Sequence, residues 1–397
     1  MDAKSFAGEP RLLLSASALA TNVRTLRRQL APTVKIVAVL KADAYGHGAV
    51  AVAEMLTAVE AAQPFVKVDA FAVATADEAA ALTAFGKPLT LLRPVENAFL
   101  GRQRDAIELA VLNGWTLTLS SAAAADDVAR IALHRGGRAR VQIMLDTGLT
   151  RCGASPAEFQ RLLERTLHHA SLDLVGLCTH FASGESAGDA YTGEQLRRFN
   201  RVVAEHPILD GVPKSVANSG AIFFAPRSHL DAVRPGIALY GIDPTGRPAV
   251  DRPLAPIARW TAPVQGVFDV AAGQSVGYGQ TWIAPERRRI AIVPVGYADG
   301  YPRAASNRAV MMLAGKPCGV VGRVSMDMTA IDVTSVGDAC VGDEVVVLDD
   351  NPLSPASIYQ LSRIADTIPY ELLCRIGPRV RRVCVGVESV VAADSAE

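Results

Sequence analysis

Two textures divide this 397-residue chain and predict an α/β protein: a (β/α)8 TIM barrel followed by a mostly antiparallel β domain. From residue 34 to about 240, short apolar runs alternate with amphipathic helical stretches. After Pro253, short strands are separated by Gly, Pro and Asp turns, with one helix among them. A doubly wound open sheet is the competing arrangement, but no G-x-G-x-x-G follows the first strand. The boundary falls near residue 245. Residues 1–245 make the barrel, with the N-terminal strand free to join the other domain, and 246–397 make the β domain.

The elements follow in order. Leu12 to Ala20 imitates a short signal sequence, but Ser15 and Ser17 interrupt it; it reads as a strand entering a helix over Ala18–Leu30. Eight barrel strands are predicted: Lys35–Lys41, Phe71–Thr75, Leu89–Leu92, Thr116–Leu119, Val141–Asp146, Leu172–Thr179, Val212–Ala217 and Ala232–Tyr240. Ser155-Pro156-Ala157-Glu158 reads as a capping box with proline in the first turn. Gly193 to His206 places Leu196, Phe199, Val202 and Val203 on one helical face. The β domain is read as strands Trp260–Val270, Arg288–Val295, Val310–Leu313, Gly319–Val324, Met328–Val333 and Glu344–Leu348, a helix Pro355–Asp366 and a last strand Val380–Val387. Ala314-Gly315-Lys316-Pro317 signals a hairpin, and the end, Ala392–Glu397, reads as frayed.

Composition narrows the class. Lys+Arg and Asp+Glu balance at 40 each, which argues against nucleic acid or an acidic membrane as partner. No apolar run reaches membrane-spanning length. The six cysteines are scattered without metal-ligand spacing, the pattern of reduced thiols in a cytoplasmic protein, and no metal site is expected.

Chemistry gathers at strand ends. Val34 to Gly48 reads V-K-I-V-A-V-L-K-A-D-A-Y-G-H-G, a buried strand that stops at Lys41. A lysine half out of water is biased toward the neutral amine, a nucleophile and base able to form an imine with an aldehyde. The other predicted strand ends carry Asp146 with Arg151, His180, Asn218 with Ser219, and Arg234 with Gly236. Five polar ends from five strands are most simply explained by one shared pocket at the C-terminal face of a barrel. Singly, each has a bland reading: Lys41 as a solvated strand end, Ser219 as a helix cap, Arg234 as half of a surface ion pair.

The segment A-V-L-K-A-D-A-Y-G-H-G (38–48) resembles the cofactor-lysine signature of the alanine racemases, fold-type III pyridoxal-phosphate enzymes. Further matches follow in the family's order: D-T-G-L-T-R-C-G (146–153), T-H-F-A (179–182), A-N-S (217–219), R-P-G-I-A-L-Y-G (234–241), V-G-Y-G-Q-T-W (276–282), V-G-Y-A-D-G-Y-P-R (295–303), G-R-V-S-M-D-M (322–328) and I-P-Y-E-L-L-C (368–374).

The resemblance implies interconversion of L- and D-alanine, with D-alanine supplied for peptidoglycan, and pyridoxal 5'-phosphate as cofactor. Lys41 would hold the cofactor and act as one base. Tyr278 would act on the other face of the planar Cα. Tyr45, Ser219, Gly236, Ile237 and Tyr370 would cradle the phosphate, and His180 and Asn218 would complete the cofactor site. Arg234 would face the pyridine nitrogen, where a permanent cation should leave that nitrogen unprotonated and disfavour transamination. Arg151 and the Met326 N–H would hold the substrate carboxylate, and Tyr297 and Tyr301 would narrow the entrance. In the family, Tyr278 meets Lys41 across a head-to-tail homodimer, so Tyr278, Met326 and Asp327 would come from the partner subunit.

One departure stands out. Many family members carry a lysine two residues before the D-T-G; it becomes carbamylated and orients the arginine matching Arg151. Here the residue is Met144, which carries no charge. A racemase of broader or shifted specificity, such as one acting on serine, therefore stays open. Less favoured are a fold-type III decarboxylase, which should show a glycine-rich phosphate loop and a carboxylate at the pyridine nitrogen, and a pyridoxal-phosphate carrier without catalysis.

Overall fold

The computed structural model describes residues 8–95, 102–249 and 251–386; the terminal stretch read as frayed lies outside them. The chain divides into two compact units. One holds Asn22–Ala44 and Val52–Leu239; the other holds the chain up to Thr21, Tyr45–Ala51 and the chain from Tyr240 onward.

The strand β1 (Arg11–Ser15) belongs to the second unit. The first unit contains β2 (Lys35–Val39), β3 (Ala70–Val73), β4 (Leu89–Val95), β5 (Thr116–Leu119), β6 (Ala139–Met144), β7 (Leu172–Cys178), β8 (Lys214–Asn218) and β9 (Ala232–Arg234). Each runs parallel to the next, and β9 pairs back to β2 to close the barrel. Both faces of these strands are covered, so Ile36, Ala38, Phe71, Val141 and Ile143 are buried, and the strands read as unbroken apolar runs. A polar thread crosses the interior without loss: Gln142 Nε2 donates to Thr118 Oγ1 (2.7 Å), which donates to the Leu91 carbonyl (2.6 Å).

Three local expectations change. The strand β9 stops at Arg234, because Pro235 has no N–H for a ladder, and Ile237–Tyr240 forms a 3₁₀ turn. The helix Pro156–His168 begins on Ser155, whose hydroxyl accepts the Glu158 N–H (3.2 Å). The reciprocal half of that box is missing: Glu158 accepts instead from the Ala122 N–H (2.9 Å) and from Arg161, tying this helix to the start of the previous one. The helix predicted from Gly193 starts earlier, at Ala190, where the Asp189 carboxylate accepts the N–H groups of Tyr191 and Thr192.

The second unit adds β10 (Ala258–Pro263), β11 (Gly266–Val270), β12 (Ser275–Val276), β13 (Trp282–Ile283), β14 (Arg288–Val293), β15 (Val310–Leu313), β16 (Lys316–Gly319), β17 (Thr329–Asp332), β18 (Glu344–Leu348) and β19 (Arg381–Val385). A six-stranded sheet runs β16-β15-β18-β10-β1-β19, beside the three-stranded β11-β14-β17 and the ribbon β12-β13. All pairs are antiparallel except β1 with β19. Leu12 and Leu14 point into the core while their neighbours are half-buried, the alternation of a sheet covered on one face. The single strand expected over Trp260–Val270 is two, β10 and β11, broken after Pro263. The one expected over Gly319–Val324 is instead β16, ending where that stretch begins. The hairpin β15–β16 turns on Ala314 and Gly315, both at positive φ (50° and 74°), the two-residue turn whose twist suits flanking strands.

Candidate active site

Parallel closure sends every C-terminal strand end of the barrel to one rim. Lys41 follows β2, Asp146 and Arg151 follow β6, His180 follows β7, Asn218 ends β8, and Arg234 ends β9. The barrel therefore sends six of the predicted residues, from five strands, to one rim.

Their charges meet at His180. Burial pushes its pKa down to about 3, and the positive charges of Arg234, Arg151 and Lys41 push the same way. The imidazole is therefore neutral across the physiological range. Arg234 is buried with no carboxylate against it among the described residues. Its Nη1 donates to the Ser215 hydroxyl (2.7 Å) and to the Ser215 carbonyl, and its Nη2 donates to the Thr179 carbonyl (2.6 Å). Burial lowers its pKa. Neutral oxygens do not neutralise a buried guanidinium, so a cation kept there is a functional signal rather than a stabilising one. The Cys178 thiol beside it is pushed up to about 11 by burial and is inert.

Asn218 caps the short helix Ser219–Phe224, its Oδ1 accepting the Ala221 N–H (3.0 Å). Ser219, next to it, does not cap. Its Oγ accepts the N–H groups of Gly236 (2.9 Å) and Ala238 (3.3 Å), so the ends of β8 and β9, with Ile237 between those donors, form one cluster of main-chain N–H groups and a hydroxyl. Such a cluster is chemically suited to an anion.

Arg151 is exposed and makes no ion pair among the described residues. Met144 is buried, its sulfur 3.7 Å from the Cys152 thiol. Asp146 does not face outward as a base. Its Oδ1 accepts the N–H groups of Gly148, Leu149 and Thr150 (2.9, 3.0 and 3.1 Å) and shapes the loop that carries Arg151.

The backbone after Lys41 is unusual. Ala42, Asp43, Ala44 and Tyr45 all lie in the left-handed region, at φ of 53°, 52°, 54° and 55°. Each such L-residue costs roughly 1–2 kcal/mol, so the turn needs outside support. Glu78 supplies part of it: Oε1 accepts the Ala42 N–H (2.8 Å), while Oε2 accepts those of Ala74 (2.7 Å) and Thr75 (3.1 Å). Sequence reasoning passed over Glu78; its signal was the T-x-x-E box at 75–78, which forms in full.

In the second unit, Tyr45 packs between Tyr240 (centroids 5.0 Å) and Tyr370 (6.1 Å). Burial, then the neighbouring phenol of Tyr370, raises the Tyr45 pKa, so the ring acts as a neutral hydrogen-bonding phenol. Gly46 follows at φ 81°, and a Cβ there would stand 2.0 Å from the Leu373 carbonyl oxygen. Arg382, another residue missed, donates from Nε (3.1 Å) and Nη2 (2.6 Å) to the Gly46 carbonyl, and further to those of Ile376, Gly377 and Val380.

Tyr278 opens a 3₁₀ turn flanked by Gly277 and Gly279, and its side chain is 71% exposed. Tyr297 is also exposed. Tyr301, expected beside it at an entrance, is instead fully buried with its ring edge-on to Trp260 (6.3 Å) and its hydroxyl without a partner among the described residues; in this unit it is core. The Met326 side chain is exposed, and its carbonyl accepts the Ala298 N–H (3.0 Å), joining its loop to that of Tyr297. Arg379 braces both loops, donating to Asp299 (2.9 Å) and Asp327 (2.8 Å). Among the described residues, no cluster of three or more His, Cys, Asp or Glu could hold a metal, and no helix is long and apolar enough to cross a membrane.

Comparison with known proteins agrees with this arrangement. Residues 14–244 match the family model "Alanine racemase, N-terminal domain" and residues 257–384 match "Alanine racemase, C-terminal domain". The chain is 37% identical to an alanine racemase of Desulfovibrio desulfuricans over 94% of its own length and 97% of that protein's. It is 36% identical to one from Nitrosococcus oceani, covering 94% and 98% of the two chains. Among solved structures, the alanine racemase of Streptomyces coelicolor A3(2) superposes with a TM-score of 0.86 at 33% identity, covering 97% of this chain and all (100%) of that one. That of Bartonella henselae, solved with covalently bound pyridoxal phosphate, gives 0.82 at 30% identity over 95% and 99%. The barrel with its rim of cations, and the β unit that follows it, are thus those of the alanine racemase family, to which this chain belongs.

Proposed function

We infer that this chain is an alanine racemase that interconverts L- and D-alanine with pyridoxal 5'-phosphate, supplying D-alanine for peptidoglycan. The observation that carries this reading is the placement of Lys41, Arg151, His180, Asn218 and Arg234 at the ends of five strands of one closed parallel barrel. The donor set fits the cofactor: a primary amine for its aldehyde carbon, a hydroxyl with main-chain N–H groups at Ser219 and Gly236 for its phosphate, and a guanidinium without a carboxylate for its ring nitrogen. Tyr45, Ile237 and Tyr370 join the phosphate cradle, and Asn218 and His180 complete the site. Pyridoxal phosphate, when bound, accepts the electron pair left on the substrate's Cα as its proton departs.

The rest is the work of side chains. Lys41 would hold the cofactor at its aldehyde carbon, and its amine would give and take the proton on one face of Cα. Tyr278 of the partner subunit gives and takes it on the other face. Arg234 stays protonated and gives no proton to the ring nitrogen, which limits side reactions and favours return of the proton to Cα. Arg151 and the main-chain N–H of Met326 of the partner subunit hold the substrate carboxylate, with Asp327 of the partner subunit beside it, and Tyr297 narrows the way in. This requires a head-to-tail homodimer with two shared sites, each subunit built from a barrel (1–245) and a β domain (246–397) that the N-terminal strand joins. A phenol so exposed in the single chain supports that assembly.

A racemisation screen over the common L-amino acids, read by chiral chromatography, tests the substrate. Alanine should lead; serine leading would shift the specificity. Solvent exchange at Cα in heavy water tests the two bases. Tyr278→Phe should retain cofactor yet lose exchange from one enantiomer far more than from the other, by roughly 10²–10⁴-fold. Equal, mild loss from both would sink the two-base assignment.

A further inference from the structure

With Met144 uncharged and Arg151 without an anionic partner among the described residues, something else must fix the loop that aims Arg151. We propose that one face of the helix Ala190–Ala204 does so: Tyr191, Gln195 and Arg198 are positioning residues that clamp the loop 146–151 through its backbone and so set the affinity for the substrate carboxylate. The proposal rests on the reading that Arg151 holds that carboxylate.

The three residues stand at i, i+4 and i+7, one stripe of a helix. Each reaches the loop. Tyr191 Oη donates to the Gly148 carbonyl (2.8 Å), Gln195 Nε2 donates to Thr147 Oγ1 (3.3 Å), and Arg198 Nη1 donates to the Thr147 carbonyl (3.1 Å). The contact is close: a Cβ on Gly148, at φ 128°, would lie 2.2 Å from Tyr191 Oη. The Arg198 guanidinium also lies over the Tyr191 ring, 5.7 Å from its centroid, so two surface side chains stiffen one another. Glu194 fixes Arg198 from the other side (3.1 Å).

Gln195 extends the clamp to the neighbouring strand end. It is fully buried; its Nε2 also donates to the His180 carbonyl (3.2 Å) and its Oε1 accepts the Ala182 N–H (2.9 Å). Thr147 and Thr179 share a hydrogen bond (2.9 Å) beside it. The loops bearing Arg151 and His180 are therefore locked to one helix and to each other by Tyr191, Gln195 and the Thr147–Thr179 pair, all neutral, and by Arg198, whose charge is met by Glu194 rather than by the loop. Hydrogen bonds of this kind hold position without the ion pair that a charged residue at 144 would supply.

The test uses the full-length, cofactor-loaded enzyme and the double variant Tyr191→Phe/Arg198→Met, both surface changes that leave the core intact. KM for both enantiomers should rise about 3–10-fold, the scale of one or two lost hydrogen bonds. Alongside it, kcat should hold within about twofold, and amide exchange at 147–150 should quicken. Arg197→Met, on the same helix but bonded among the described residues only to Glu194, should change none of these. Unchanged KM, or unchanged amide exchange in the loop, overturns the proposal; so does an equal fall of kcat in both variants. Amide exchange needs no turnover. A wild-type chain that failed to racemise alanine would therefore sink the functional reading while leaving the clamp to be judged by exchange.

Discussion

The barrel rim and the loops of the β unit treat their polar groups in opposite ways. At the rim, Arg234 is buried, Ser219 is saturated by two main-chain donors, and Asp146 is occupied by three. In the β unit, Tyr278, Tyr297 and Met326 face solvent on turns rich in glycine. The first region is preorganised at the expense of desolvation; the second is presented. Groups that must stabilise fixed charge belong in the first kind of setting. A group that meets its substrate only after another body arrives belongs in the second, the setting that the proposed composite site would require of Tyr278.

The largest expected effect breaks the rim side of that contrast. Lys41→Ala should lower racemisation at least about 10²–10⁴-fold, the usual scale for a lost acid/base group. Borohydride treatment should fix cofactor to the wild-type chain and not to the variant. Retained covalent labelling would remove Lys41 from its role.

Next in size is backbone strain in the β unit. Gly46→Ala places a Cβ 2.0 Å from the Leu373 carbonyl at φ 81°, whereas Gly86→Ala, at φ 67°, meets nothing within 4 Å. The second should cost about 1–2 kcal/mol for left-handed backbone alone. The first should cost clearly more, measured as the difference in urea midpoint at unchanged slope. Equal costs would mean that the wall against Gly46 gives way easily.

The smallest effect sharpens the electrostatic side. His180 has its folded pKa depressed to about 3 from an ordinary 6.5. Between those values the unfolded chain binds the extra proton. Its contribution to stability is therefore full above about 6.5 and is lost as pH falls toward 3. Relative to His180→Gln, the wild type should lose stability only below about pH 6.5. Because burial is the first cause, most of that slope should survive in Arg151→Met.

The barrel was legible because parallel strands covered on both faces leave continuous apolar runs, and charged or polar ends mark where those runs stop. All eight strands appear, with ends shifted by a few residues. What stayed hidden was set by tertiary partners. Nothing local in K-A-D-A-Y announces four left-handed residues; the support visible at Ala42 comes from Glu78, more than thirty positions on. Glu158 matched a capping box but accepts instead from the start of the previous helix. Tyr301 sat in a motif that suggests an entrance, and only packing against Trp260 reveals it as core. Tyr191 lay outside the helix expected from Gly193, and Gln195 and Arg198 lay off its apolar face, since periodicity marks that face and not what the other residues grip.

The left-handed turn makes the lysine signature hard to transplant. The eleven letters from Ala38 to Gly48 carry the amine, but the guanidinium of Arg382 and the carbonyl of Leu373, which hold Gly46, lie more than 300 positions downstream. A barrel excised at residue 239 would keep the whole motif and its Glu78 brace, but lose the groups that hold Gly46. Anyone grafting this reactive amine onto another scaffold has to carry the tail of the chain along with its head.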